Sequence, residues 1–144
     1  SRITLKGVSE MTRVDVVTCF IEFEGKILLL RRSQAVGSYQ QRWAGISGYI
    51  EPGNTPLAQA KLEIEEELGL DPENLVLVKE GEPIEVVDRE LDRTWIVHPF
   101  RFRVSGELAL KTNWEHTECQ WIAPQDIVSY DTVPQLDAAW ESVK

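Results

Sequence analysis

Two apolar stretches near the start of the chain are separated by a short polar turn, as in a pair of adjacent β-strands. Residues 14–23 read VDVVTCFIEF and are rich in β-branched and aromatic side chains, which favour strands. The pair Glu24-Gly25 separates them from a second apolar run at residues 26–30. This pattern predicts a β-hairpin.

A polar segment and a second strand-like segment follow the hairpin. Residues 33–42 are polar and include Gly37, which predicts a loop. Residues 43–50 return to a strand-like pattern with two glycines, and residues 51–54, EPGN, have the composition of a turn. The turn leads directly into the most strongly periodic segment of the chain.

The segment after this turn has apolar residues at helical spacing, which predicts a helix. These residues are Leu57, Ala60, Ile64 and Leu68. Thr55 or Asn54 can cap the N-terminus of this helix, and Pro56 suits its first turn. Gly69 is expected to end it, because glycine readily adopts the left-handed conformation found after helices.

The remainder of the chain alternates apolar stretches with polar turns. Strands are predicted at residues 75–78, 84–87, 94–104, 108–110 and 118–122, and short helices at residues 124–127 and 135–143. One strong helix set among strands, with more helix at the end, predicts an α/β fold in which helices cover a mixed sheet. The 144 residues suit one domain with a single core, in which residues 1–12 form an N-terminal extension or a first strand.

The composition argues against several classes of protein. No stretch approaches the roughly 18 consecutive apolar residues of a membrane helix, and residues 1–10 lack the apolar run of a secretory signal. We therefore expect a cytoplasmic location and no membrane partner. Cys19 and Cys119 have no C-x-x-C partner, so we expect two buried thiols rather than structural zinc or a disulfide framework.

The net charge of −9 argues against non-specific binding to nucleic acid or to anionic membranes, because such surfaces would repel the chain. A small anionic substrate is still compatible with this charge. Its phosphates would need local positive charge, either from a bound metal ion or from arginines placed at one site.

Three glutamates near the end of the predicted helix share one helical face. Glu63, Glu66 and Glu67 are spaced i, i+3 and i+4. On an arbitrary helix such a run is usually a solvated surface. Here repulsion costs about 0.2–0.5 kcal/mol per i, i+4 pair, and each anion near the helix C-terminus costs about 0.3–1 kcal/mol against the macrodipole. A divalent cation would convert this repulsion into coordination, which favours a metal site.

Residues 48–70 read GYIEPGNTPLAQAKLEIEEELGL and resemble the Nudix box, G-x5-E-x7-R-E-U-x-E-E-x-G-U, where U is a bulky aliphatic residue. The matching positions are Gly48, Glu63, Ile64, Glu66, Glu67, Gly69 and Leu70. Asn54 stands where the family usually has Glu, and Leu62 where it usually has Arg. In the family these two side chains commonly interact and help to orient the ligand glutamates. Their joint loss avoids leaving one buried charge unpaired.

Five further segments resemble a Nudix subgroup that is sometimes fused to translation initiation factor 2B-like proteins. These segments are residues 31–33, 43–49, 97–100, 114–118 and 131–134. The resemblance at the level of the family covers about residues 13 to 128. It implies the Nudix-type α/β/α sandwich with a mixed β-sheet and the activity of a pyrophosphohydrolase.

The resemblance also implies a metal site that uses Mg²⁺, with Mn²⁺ as a substitute. It assigns Glu63 and Glu67 as the first metal ligands, and Glu66 to a further metal or a metal-held water. The backbone carbonyl of Ser47 matches another ligand position. A metal neutralises phosphate charge and lowers the pKa of bound water, so the implied reaction is attack of water on phosphorus in a nucleoside diphosphate-X type substrate.

Nudix enzymes differ in their general base, which is either a box glutamate or a carboxylate on a later loop. The box offers Glu66. On the later loop Glu115 is the preferred candidate and Glu118 the second, because residues 114–118 lead into the strand that ends at Trp121. Glu115 and Glu118 are explained equally well as exposed turn residues, since a base requires geometry that a sequence does not contain.

Four residues flanking the loop before the box are candidates for substrate binding. Arg31, Arg32 and Arg42 could hold phosphates through charge-assisted hydrogen bonds, although at least one of them is expected simply to lie on the surface. Three tryptophans, Trp43, Trp95 and Trp114, could stack on a base, although large aromatic side chains more often pack in a core.

Two other functions stay open on the sequence alone. The departures at Asn54 and Leu62 suit a catalytically silent Nudix-fold ligand-binding module, although the retained glutamates argue against it. Isomerisation of an isoprenoid diphosphate on a related fold lacks a recognisable cysteine counterpart. The sequence does not identify the group attached to the diphosphate, and it is compatible with a homodimer.

Overall fold

A computed structural model describes residues 12–33, 36–104 and 118–144, and the fold is given for these ranges. The strands are β1 (Thr12–Phe23), β2 (Lys26–Arg31), β3 (Trp43–Ala44), β4 (Ile46–Tyr49), β5 (Leu75–Glu80), β6 (Ile84–Asp88), β7 (Arg93–Val104) and β8 (Cys119–Ile122). The helices are α1 (Pro56–Leu68) and α2 (Leu136–Val143), with short 3-10 helices at Pro72–Asn74 and Pro124–Ser129. Within these ranges no helix is long and apolar enough to cross a membrane.

The described strands form one mixed sheet. Its central path runs β3-β2-β1-β7-β5, while β4 pairs with β1, β6 with β7 and β8 with β2. The long strands β1 and β7 run parallel over residues 12–22 and 93–103, and the other described pairs are antiparallel. The predicted hairpin is confirmed: β1 and β2 are joined by Glu24 and Gly25, which have φ of 50° and 79° and so satisfy a two-residue turn with two left-handed positions.

Successive residues of the central strands are buried on opposite faces of the sheet, because side chains alternate along a strand. On β2, Leu28 and Leu30 pack with α1, whereas Ile27 and Leu29 pack with α2. The apolar core is therefore divided by the sheet into two clusters, rather than being the single core that chain length predicts. A helix on each face of a mixed sheet confirms the α/β/α sandwich.

Helix α1 begins and ends as its sequence predicts. Thr55, not Asn54, is the N-cap, and its Oγ1 accepts a hydrogen bond from the backbone N–H of Ala58 at 3.1 Å. Gly69 has φ of 63°, and its N–H donates to the carbonyl of Glu65 at 2.9 Å. The buried apolar residues of α1 are Ala60, Ile64 and Leu68. Full burial of one such Ile or Leu contributes about 1.5–3 kcal/mol, so this face fixes the helix on the sheet.

Three expectations differ from the structure or lie outside it. Cys19 is buried as expected, but Cys119 is only half-buried on β8, because β8 is a short strand paired to β2 at the side of the sheet. Between Gly69 and the strand predicted at residue 75, where the sequence predicts neither helix nor strand, the structure has a 3-10 helix that begins at Pro72. The predicted strand at residues 108–110 lies outside the described residues.

Candidate active site

The site begins where α1 packs against β4. A Cβ atom added at Gly48 on β4 would lie 2.2 Å from Oε1 of Glu63 on α1 and 2.3 Å from its carboxyl carbon. These distances are far shorter than van der Waals contact. Glycine at position 48 therefore allows the carboxylate of Glu63 to pack directly against the backbone of β4.

Gln59 holds the same carboxylate from its other side. The residue is almost fully enclosed, with 1% of its surface exposed. Its Oε1 accepts hydrogen bonds from the backbone N–H of Glu51 at 3.1 Å and from Nδ2 of Asn54 at 2.8 Å. Its Nε2 donates to Oε1 of Glu63 at 3.0 Å. The Gln59 side chain thus connects the turn before α1 with the carboxylate of Glu63, which lies one helical turn further along α1.

The carboxylates of α1 lie close enough to disfavour one another's ionisation. Burial raises the pKa of Glu67 to about 7, and repulsion from Glu63 adds to the rise while Arg32 opposes it. Burial also raises the pKa of Glu63, with the hydrogen bond from Gln59 acting in the opposite direction. Taken as a whole residue, Glu67 is exposed. Its carboxylate lies at the cavity, where protein atoms exclude water, and this loss of solvation raises its pKa.

A cavity of about 360 Å³ lies beside these carboxylates. The polar and charged part of its lining includes Arg32, Ser47, Gly48 and Glu67. The apolar part includes Val16, Val86, Val97, Val133 and Pro134. A mostly apolar cavity with a few convergent polar groups is typical of a small-molecule site.

Three aromatic residues, Tyr39, Tyr49 and Trp95, form one wall of the cavity. The ring of Trp95 lies 6.2 Å from that of Tyr39 and 6.2 Å from that of Tyr49, centroid to centroid. Nε1 of Trp95 donates to the hydroxyl of Tyr39 at 3.0 Å, and this hydroxyl donates to Asp88 at the end of β6. The polar side-chain atoms of Trp95 and Tyr39 are therefore engaged with protein, and these two residues offer ring surface to the cavity.

Of the arginines predicted to bind phosphate, Arg32 lines the cavity. Its Nε donates to the carbonyl of Ser38 at 3.0 Å and its Nη2 to the Ser38 hydroxyl at 3.3 Å. Burial lowers the pKa of Arg32, while Glu67 opposes this effect. An arginine stays protonated under such conditions, so Arg32 places a positive charge near the carboxylates.

Arg31 and Arg42 do not belong to the described lining of the cavity. Nη1 of Arg31 lies 3.5 Å from Oε1 of Glu118, and Nε of Arg42 lies 3.8 Å from Oδ1 of Asp131. All four side chains are at least 40% exposed. These contacts are surface ion pairs, which contribute little to stability.

The remaining sequence candidates fall in different places. Trp43 packs edge-on against Tyr130, 5.4 Å between ring centroids, in the cluster that includes α2. Glu66 is exposed on α1. Trp114 and Glu115 lie outside the described residues.

One of the two departures from the Nudix box, Asn54, contacts a residue that sequence reasoning missed. Asn54 donates to Gln59, and Leu62 is half-buried rather than fully enclosed. The structure thus gives Asn54 a partner other than position 62. The signal available in the sequence was Gln59, which lies four residues before Glu63 and next to the apolar Ala60. Polar residues on a helix are usually solvated, so this position did not stand out.

The site residues fit a divalent cation in the chemistry of their donors. Hard cations take carboxylate and carbonyl oxygens, which Glu63, Glu66, Glu67 and Ser47 supply. Burial, together with neighbouring carboxylates, raises the pKa values of both Glu63 and Glu67, and a cation would offset the negative charge gathered there. Within the described ranges, no three or more His, Cys, Asp or Glu side chains already form a set that could hold a metal ion. Metal binding would therefore involve adjustment of these side chains.

The chain is similar to known proteins over most of its length. It is 26% identical over 129 residues to the nucleoside triphosphatase NudI of Escherichia coli, covering 84% of this chain and 89% of that protein. The fold matches a MutT protein from Methanosarcina mazei Go1 with a TM-score of 0.74, 23% identity and coverage of 93% and 94% of the two chains. It also matches the Escherichia coli ORF135 protein with a TM-score of 0.67, 24% identity and coverage of 92% and 89%.

The chain also matches the NUDIX domain as a whole, beyond the box. Residues 11–141 match the family model of this domain, and the box residues Gly48, Glu63 and Glu67 meet at one site in the fold. The similarity to the 2B-associated subgroup stays a prediction. Because the match spans most of the chain, the protein belongs to the Nudix family and is a pyrophosphohydrolase, an enzyme that acts on acid anhydrides.

Proposed function

We propose that this Nudix hydrolase depends on a divalent metal, Mg²⁺ or Mn²⁺, and cleaves the diphosphate linkage of a nucleoside diphosphate-X type substrate. In the proposed reaction, water attacks a phosphorus atom of this linkage. The observation that carries it is one cavity lined both by ionic groups, Glu67 and Arg32, and by aromatic rings. The ionic groups suit a metal-bound diphosphate, and the rings suit a planar base.

In this proposal Glu63 and Glu67 hold the metal, Glu66 holds a further metal or a metal-held water, and the carbonyl of Ser47 is another ligand. A bound metal supplies neutralisation of phosphate charge and a bound water of lowered pKa. Gly48 supports this assignment because it leaves room for the Glu63 carboxylate against β4.

Arg32 is the residue we assign to a substrate phosphate. Its guanidinium is held in place by two hydrogen bonds to Ser38, so less side-chain freedom is lost when it binds an anion. Arg31 and Arg42 lie in surface ion pairs. We therefore assign them no contact with the substrate and at most a long-range electrostatic attraction.

The aromatic wall is the part that we assign to the nucleoside. Trp95 is 7% exposed and is held by Tyr39, which gives a rigid surface for stacking. The relative NudI is a nucleoside triphosphatase by name, which makes nucleoside triphosphates the first compounds to test. A triphosphate contains the same anhydride linkage as a nucleoside diphosphate-X compound.

Three carboxylates stay candidates for the general base, namely Glu66, Glu115 and Glu118. Glu66 is on the same helix as the proposed ligands, which favours a base that acts beside the metal. Glu118 lies on the surface, where its Oε1 is 3.5 Å from Nη1 of Arg31. Substituting each by Gln and comparing the pH dependence of turnover distinguishes them, because loss of the base removes the acidic limb of the profile.

The proposed function is tested by a hydrolysis screen with Mg²⁺, Mn²⁺ or EDTA. The substrates are nucleoside triphosphates, nucleotide sugars, ADP-ribose, dinucleoside polyphosphates and non-nucleoside diphosphates. We expect metal-dependent cleavage of at least one nucleotide, with ¹⁸O from labelled water appearing in a phosphate product. Cleavage that is insensitive to EDTA, or label in a carbon-containing product without phosphate, would contradict the proposal.

A further inference from the structure

The orientation of Glu63 has to be maintained by something other than the pair of residues that the box usually provides. Position 54 is Asn and position 62 is Leu, so an ion pair between them is impossible. Glu63 is nevertheless held tightly, between the backbone of Gly48 and the amide of Gln59. This chain therefore contains a different means of fixing the carboxylate.

The contacts of Gln59 permit a single orientation of its amide. The backbone N–H of Glu51 and the amide of Asn54 both donate to its oxygen. If the amide were flipped, its NH₂ would face the N–H of Glu51, and its oxygen would face the carboxylate of Glu63. The turn before α1 thus forces Gln59 to present its NH₂ to Glu63.

The burial of Gln59 makes this arrangement costly to break. With 1% of its surface exposed, the amide has little access to water that could replace a lost hydrogen bond. The connection therefore runs without a break from Asn54 through Gln59 to Glu63, across two hydrogen bonds of 2.8 and 3.0 Å.

We infer that Gln59 is the positioning residue for Glu63, with Asn54 fixing the orientation of its amide, and that together they replace the ion pair at positions 54 and 62. This inference rests on the proposed function, in which Glu63 is a metal ligand. Gln59 does not itself contact the metal. Its role is to hold one carboxylate oxygen so that the other is free to face the cation.

The first test substitutes Gln59→Leu, which keeps a buried side chain of similar size and removes both the oxygen and the NH₂. The readout is the magnesium concentration that gives half of the rise in thermal midpoint, measured without substrate. We expect this concentration to increase about 10–100-fold, as is typical when the partner of a metal ligand is lost. At saturating magnesium, kcat should recover most of its original value, because the ligand itself is still present.

The second test, Asn54→Asp, changes the volume by almost nothing and places an acceptor opposite the oxygen of Gln59. The amide is then expected to flip and to turn its oxygen toward Glu63, which weakens magnesium binding about tenfold. An added negative charge acting only through its field would instead strengthen the binding of a cation. The two explanations therefore predict opposite signs, and this variant carries the test if Gln59→Leu does not fold.

The matched control is Ile64→Val, which reduces packing on the same helix without touching Gln59 or Glu63 and should leave magnesium binding unchanged. Magnesium binding that is unaltered or tighter in both Gln59→Leu and Asn54→Asp would overturn the inference alone. If the unaltered chain shows no magnesium-dependent shift and no metal-dependent hydrolysis, the proposed function and this inference are both overturned.

Discussion

The two faces of the sheet are covered by helices of very different character. On one face, α2 buries Leu136, Ala139, Trp140 and Val143, all apolar, against the sheet. On the other face, α1 buries apolar residues together with Gln59, and it carries the raised-pKa carboxylates of Glu63 and Glu67. The α2 face is organised for stability, whereas the α1 face retains repulsion between carboxylates that a proton or a bound cation would relieve.

The largest effect on stability is expected on the α2 face. Leu29→Ala removes a fully enclosed side chain from the cluster that packs on α2 and should lower the free energy of unfolding by about 2–5 kcal/mol. Because Leu29 does not belong to the described lining of the cavity, turnover per mole of folded protein should be unchanged. Denaturant unfolding measures the first quantity and steady-state kinetics the second. The exposed Val128→Ala is the control, and a loss of turnover without a loss of stability in Leu29→Ala would refute the division between the faces.

The opposite behaviour is expected from Gly48→Ala on the α1 face. The new methyl group would displace the flexible end of Glu63, so stability should change little while turnover falls by at least about 100-fold, as misplacement of a catalytic group by 1 Å can cause. Ala58→Ser is the control, since it also adds one heavy atom and Ala58 is exposed on α1 outside the described lining of the cavity. Equal activity of these two variants would contradict the placement of Glu63.

A smaller effect is expected from the aromatic wall. Trp95→Leu removes the proposed stacking surface and should raise KM for a nucleotide substrate about tenfold, since stacking of a base is worth about 1–3 kcal/mol. Trp43→Leu provides the comparison, because Trp43 packs against Tyr130 away from the described cavity lining. If Trp43→Leu raises KM and Trp95→Leu does not, the base lies elsewhere.

The smallest effect concerns pH in the metal-free protein. The pKa of Glu67 is about 7 in the folded chain, above its ordinary value of 4.5. The folded state therefore holds a proton that the unfolded state releases, and the stability this provides below pH about 4.5 is lost as pH rises through about 7. The thermal midpoint without metal should fall over this range, less so in Glu67→Gln. A midpoint that rises equally in both proteins would exclude this titration.

Magnesium should alter that pH dependence, because the cation binds the ionised carboxylate and competes with the proton. We expect the rise in thermal midpoint on adding magnesium to be larger at pH 8 than at pH 5.5. A rise that does not change with pH would indicate that the cation binds away from Glu67.

Local patterns in the sequence predict much of the fold. The hairpin of β1 and β2 and the limits of α1 depend on residues close together in the chain, such as Glu24-Gly25, Thr55 and Gly69. The division of the core into two clusters follows from alternation along β2, but chain length alone suggests one core. Local periodicity specifies elements, whereas the way in which a sheet separates two cores depends on how the elements pack.

The site is less predictable because its contacts join distant parts of the chain. Box spacing identified Glu63 and Glu67, since both lie on one helix. The contact from Tyr39 to Asp88 and Trp95 links three separate elements, and no local pattern shows that Trp95 faces the cavity while Trp43 does not. The role of Gln59 likewise depends on the turn folding back over the helix.

The most direct test of a metal-dependent site on α1 compares Glu67→Gln with Glu65→Gln. Both variants replace a carboxylate by an amide on the same helix, but Glu65 lies on a different helical face. We predict that Glu67→Gln loses at least about 100-fold in turnover of the best substrate at saturating magnesium, with its fold intact, and that Glu65→Gln retains the original rate and magnesium dependence. Full turnover by folded Glu67→Gln, or an equal loss in both variants, would contradict the account.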